Sequence, residues 1–123
     1  MKKLLMTLVT TGLVLFGAAT LSAQTTPTTV IHVVTVKWKP EAKPAQIQAA
    51  LDGVKALPSQ YKGITRVWTR SIKAQGPGIT HAVAMEFADE AALKAYTDSP
   101  AQKEWYKVYL PIREQSVTHD ITN

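Results

Sequence analysis

From Val30 onward, apolar and polar positions alternate in a pattern that predicts four strands and two helical stretches. The first strand is Val30–Lys39, with Val30, His32, Val34, Val36 and Trp38 on one face and Ile31, Val33, Thr35, Lys37 and Lys39 on the other. Both faces are apolar for most of its length, as in a strand covered on two sides. Pro40 stops it. Pro44 suits a first helical turn, and Ile47, Ala50, Leu51, Val54 and Leu57 follow at helical spacing until Pro58 and Gly63 close the helix and its loop. The second strand, Ile64–Ile72, sets Ile64, Arg66, Trp68, Arg70 and Ile72 against Thr65, Val67, Thr69 and Ser71. A turn at Gly76-Pro77-Gly78 leads to the third strand, Ile79–Ala88. Ile79, His81, Val83, Met85 and Phe87 form its bulky face, and Thr80, Ala82, Ala84 and Glu86 its small one. Asp89 starts a short helical segment through Tyr96, with Ala92, Leu93 and Tyr96 inward. Ser99-Pro100 restarts it with a cap and a first-turn proline, Trp105, Val108 and Tyr109 give the apolar side, and Pro111 ends it. The last strand is Glu114–Thr122, with Val117, His119 and Ile121 alternating with Thr118 and Asp120.

The order strand, helix, strand, strand, helix, strand is the split βαβ, or ferredoxin-like, arrangement: an α+β fold with one four-stranded antiparallel sheet and both helices on one face. In the usual spatial order 4-1-3-2 the strands bearing His32, His81 and His119 are neighbours. His32 and His81 each lie in step, by twos, with the bulkiest residues of their strands, which predicts that both face the helices near Tyr96. His119 is expected to be structural, because the register of a short last strand is not set by sequence. The face carrying Ile31, Val33, Thr35, Ala82 and Ala84 has no helix of its own. Leaving Ile31 and Val33 wet would forfeit roughly 1.5–3 kcal/mol each out of a total stability of about 5–15 kcal/mol. A two-fold pairing of identical sheets covers that patch with itself, so a homodimer built sheet to sheet is expected.

Composition places this domain within a processed chain. Lys2 and Lys3 precede an uncharged apolar run, Leu4 to Ala19, and the small residues Ser22 and Ala23 follow. That is the layout of a secretory signal peptide over residues 1–23, which predicts a periplasmic or secreted protein; an uncleaved anchor of about 17 residues is the alternative. Residues 24–29 form a polar linker and residues 30–122 the folded domain. Losing Lys2 and Lys3 changes 14 basic against 9 acidic residues to 12 against 9, a net charge of +3. Those charges are scattered, which argues against a nucleic-acid partner. The chain has no cysteine, hence no disulfide and no thiolate metal site. Nor does it carry a phosphate loop, a nucleophile beside a base, or close histidine pairs, so neither cofactor nor metal is expected.

Several runs together resemble the stress-responsive A/B barrel (Dabb) family: Val30-Ile31-His32-Val33-Val34, Trp68-Thr69-Arg70-Ser71, Thr80-His81-Ala82-Val83, Ala95-Tyr96 and Ser99-Pro100-Ala101-Gln102, with Trp105 at the aromatic position of the P-A-x-x-x-aromatic element. The resemblance spans Val30 to Ile121. It implies a dimeric α+β barrel with helices outside and a small pocket between each sheet and its own helices. It also implies candidate residues: Tyr96 and His81 as a catalytic acid–base pair, and His32, His81, Tyr96, Gln102 and Trp105 as the lining for a small hydrophobic or aromatic ligand. The plant polyketide cyclases of this family use a tyrosine and a histidine. Tyr96 matches the tyrosine, but Gln102 stands in place of the histidine, Ser99 in place of another, and Thr69 in place of a glycine. Glutamine exchanges no proton at neutral pH. Two functions therefore stay open: a ligand-binding dimer without catalysis, and a cyclase- or lyase-like enzyme using Tyr96 with His81 or His32. A monooxygenase reading rests on fold analogy alone.

Overall fold

The computed structural model describes Gly17 and residues 25–123; the expected export segment, Gly17 apart, lies outside the described residues. Strand β1 (Val30–Trp38) is followed by helix α1 (Pro44–Gln60), strands β2 (Ile64–Trp68) and β3 (His81–Phe87), helices α2 (Glu90–Tyr96) and α3 (Pro100–Tyr109), and strand β4 (Arg113–Ile121). The strands form one antiparallel sheet in the order β2-β3-β1-β4, the order expected of a split βαβ fold. No helix among the described residues is long and apolar enough to cross a membrane.

Local chemistry accounts for the helix ends. The Gln46 side chain accepts from the Lys43 N–H at 2.9 Å, ahead of Pro44. Asp89 Oδ1 caps α2 by accepting from the Ala92 N–H at 2.7 Å, and Ser99 Oγ caps α3 by accepting from the Gln102 N–H at 3.2 Å. Between α2 and α3 the chain turns through Asp98 at φ 63°, one of the few residue types that enter the left-handed region at modest cost. Helix α1 runs on past Pro58 to Gln60, further than the sequence suggests. A proline in the last turn deletes one helical bond, and the Tyr61 N–H still closes on the Leu57 carbonyl at 2.8 Å.

The largest departure is in β2. It ends at Trp68 rather than Ile72, and a bulge at Thr65 separates the pairs Ile64↔Phe87 and Arg66↔Glu86. An extra residue reverses which side chains face the core. Ile64 and Val67 therefore turn toward the helices, while Arg66 and Trp68 turn away from them. Residues 69–80 leave the ladder, although Ser71 Oγ bridges the Ala82 N–H (2.7 Å) and carbonyl (2.9 Å).

The core lies between sheet and helices. Val30, Val34 and Val36 of β1 and Val83, Met85 and Phe87 of β3 meet Val54 and Leu57 of α1 and Trp105 and Tyr109 of α3, all buried. The two helices approach closely at Gly53, where an added Cβ would stand 2.6 Å from Trp105 Cδ1. The Trp105 indole N–H donates to the Ala50 carbonyl at 2.9 Å across that contact. On the opposite face Ile31, Val33 and Thr35 are half-buried, and Trp68, Val117 and Ile121 are exposed. His119 pairs with Val33 and shares that face, away from the helices.

Candidate functional site

Register decides which polar side chains meet. His32 sits between Met85 on β3 and Asp120 on β4, all three facing the helices. His32 Nδ1 lies 2.5 Å from Asp120 Oδ1. A carboxylate only accepts, so the neutral ring carries its proton on Nδ1 and offers Nε2 as a base. The ring also stands edge-on to Phe87, with centroids 5.9 Å apart, and Phe87 in turn contacts Tyr96 at 5.3 Å.

Tyr96 and Tyr109 are each only 3% exposed. Neither hydroxyl has a hydrogen-bond partner among the described residues. Burial pushes the Tyr96 phenol well above its usual range, with Tyr106 nearby adding to the effect, so it stays protonated and acts as a hydrogen-bond donor. Tyr109 stacks on Trp105 with centroids 4.3 Å apart and planes 9° from parallel, and the Arg113 guanidinium lies 5.5 Å from its ring. The Gln102 side-chain carbonyl is committed to the Asp98 N–H at 2.7 Å, which leaves its amide N–H groups for other partners.

His32, Tyr96, Gln102 and Trp105 share one cavity of about 110 Å³, with Tyr109 and Arg113 on its walls. His81 does not line it. It pairs with Val36, four positions along β1 from His32, or about 13 Å at strand rise. There it lines a separate concavity of about 390 Å³ beside Lys55 and Arg70. The Trp38 indole N–H donates to His81 Nδ1 at 2.8 Å, and Trp38 also packs edge-on to Tyr109. The expected closeness of both histidines to Tyr96 thus holds for His32 alone. Sequence reasoning missed Tyr109 and Arg113 as cavity groups and Asp120 as the partner of His32. Asp120 had a signal, its alternation with His119, but only the β1–β4 register brings it to His32.

A wider open groove of about 520 Å³ runs between α2 and the end of β4, and Leu93 lines both it and the inner cavity. Among the described residues no cluster of three or more His, Asp or Glu side chains is placed to hold a metal ion.

The family model described as the stress responsive A/B barrel domain matches residues 30–123. The chain belongs to that family. Among solved structures, this Dabb chain is similar to a dimeric protein of ferredoxin-like fold and unknown function from Bacteroides fragilis, with 17% identity and TM-score 0.68 over 80% of this chain and 100% of that one. It is similar to the hydroxynitrile lyase from Passiflora edulis, with 20% identity and TM-score 0.70 over 79% of this chain and 94% of that one. A Dabb family protein from Mesorhizobium loti is similar at 24% identity and TM-score 0.63, covering 77% and 96% of the two chains. At these identities the likeness establishes the fold. No curated protein matches the chain.

Proposed function

We propose that this Dabb protein is an exported homodimer that binds a small, largely apolar molecule with one polar acceptor in the cavity between its sheet and helices. The observation that carries the proposal is that Tyr96 and Tyr109, two residues that line one cavity, both have buried, unpartnered hydroxyls. Each such group costs about 1–3 kcal/mol when left unsatisfied, and a ligand carbonyl or hydroxyl would satisfy them. A cavity of about 150 Å³ holds benzene; one of about 110 Å³ suits a single small ring, provided that Leu93 yields toward the outer groove. Support for the dimer comes from the uncovered apolar sheet face and from the dimeric relative of the same fold.

A catalytic second reading has its own support in the His32–Asp120 pair. A histidine held by a carboxylate through Nδ1 presents a base at Nε2, here in the cavity that holds the Tyr96 donor. In this version His32 takes the proton-transfer role and His81 does not, and the lyase of the same fold is consistent with such chemistry. Titration with phenol, followed by the Trp105 indole resonance, tests the shared binding step. Saturable shifts at Trp105 and Tyr96 are expected. Phenol that leaves both unmoved at millimolar concentration would remove the proposal.

A further inference from the structure

The concavity around His81 shares no lining residue with the proposed ligand cavity. It is built differently. Lys55 on α1 and Arg70, just past β2, line it together with Gln48, Thr80 and His81, and Leu51 supplies an apolar patch. His81 Nδ1 is committed as an acceptor, because the Trp38 indole can only donate to it, at 2.8 Å. The Thr80 hydroxyl lies 2.9 Å from the same nitrogen. The proton of the neutral ring is thus on Nε2, and the only group the ring can offer a ligand is an N–H donor.

The charges decide what that ligand is. Among the described residues Arg70 makes no ion pair, while Lys55 is shared with Asp52 at 3.3 Å. The Gln48 amide also donates to Asp52, at 2.9 Å, and these two contacts hold the Asp52 carboxyl below its usual range. Two cations against one persistently ionised carboxylate leave about one positive charge over a wall of donors. A doubly charged anion would be under-neutralised; a neutral molecule would leave Arg70 unanswered. The planar Arg70 fork matches a carboxylate, and Leu51 lies where an apolar tail would rest.

From this arrangement we infer that the His81 concavity is a second binding site, for a small organic monocarboxylate held by Arg70, Lys55 and the His81 Nε2–H. It is independent of the Tyr96 cavity and stands whether or not that cavity binds phenol. Binding of the anion also keeps His81 linked to Trp38, so the Trp38 indole N–H reports on occupancy.

The test is a titration of the ¹⁵N-labelled chain with sodium benzoate, benzamide and inorganic phosphate at constant ionic strength. Benzoate should shift Trp38 and Thr80 saturably, leave Trp105 in place, and bind more tightly than either comparator. R70Q should weaken benzoate on the order of tenfold, K55Q by less, and K103Q, at an exposed position that lines neither cavity, not at all. Because Arg70 and Lys55 are exposed, both variants should keep the native Trp38 signal, which verifies the fold. Equal shifts with benzamide, tighter binding of phosphate, shifts at Trp105 instead, or undiminished affinity in R70Q would each overturn the assignment.

Discussion

At the scale of single residues, the side chains that matter most are those whose polar atoms are buried at a cost. Removing the orphan hydroxyl of Tyr96 or Tyr109 should stabilise the protein, because an unsatisfied group buried in the fold is lost with it. It should also weaken phenol binding. Tyr96→Phe and Tyr109→Phe are each expected to raise the thermal midpoint by a few degrees, for roughly 1 kcal/mol in a domain of this size, and to lower phenol affinity about tenfold. Calorimetry together with titration checks both. A purely structural tyrosine would move stability without moving affinity. A second residue-scale case lies on the other face of the sheet. Glu86 is 5% exposed and is held by Arg66. The Arg66 hydrogen bond outweighs the opposing effect of burial, and Thr29 adds to it, so the Glu86 carboxyl falls from 4.5 to about 2. A depressed carboxyl contributes stability that is complete above its unfolded value and is lost as pH falls through its folded one. Stability should therefore decline between about pH 4.5 and pH 2, and Arg66→Gln should flatten that limb in denaturant melts across the range.

At the scale of elements, the pairing of α1 with α3 depends on one missing side chain. Gly53 lies inside α1, where alanine is ordinarily preferred by about 1 kcal/mol. Here an added Cβ would meet the Trp105 ring at 2.6 Å. Overpacking of that kind costs about 1–3 kcal/mol, enough to exceed the gain in helix propensity. Gly53→Ala is expected to lower stability in urea unfolding and to shift Trp105 fluorescence as the Trp105–Ala50 hydrogen bond is strained. It should also disturb the cavity, because Trp105 stacks on Tyr109.

At the scale of the whole molecule, the open sheet face is where the proposed dimer would pair. Val33 lies at its centre, with Ala84 and His119 as register partners. The small Ala82 and Ala84 let a second sheet approach closely. Val33→Asp places a charge where two such faces would meet, so it should halve the mass seen by light scattering and lower the thermal midpoint together. The midpoint of the unaltered chain should rise with protein concentration, as expected when folding and association are linked. A folded monomer at micromolar concentration would exclude the sheet-to-sheet pairing.

What the sequence determines by itself is everything that follows from short-range periodicity. The element order, the strand faces of β1 and β3, the caps at Asp89 and Ser99, and the break between α2 and α3 are all legible from spacing, because pleat and helical turn repeat over a few residues. From the same spacing it follows that His32, His81 and Tyr96 lie on the helix-facing side. Only the tertiary structure decides what depends on register between distant segments. The bulge at Thr65 turns Arg66 and Trp68 to the open face, against simple alternation, and the β1–β4 register delivers Asp120 to His32 across 88 positions of sequence. The separation of His81 from Tyr96 arises in the same way. Both project to one side of the sheet, but His81 pairs with Val36, four positions along β1 from His32, and so lines a different cavity. Periodicity says which way a side chain points, and packing alone says what it meets.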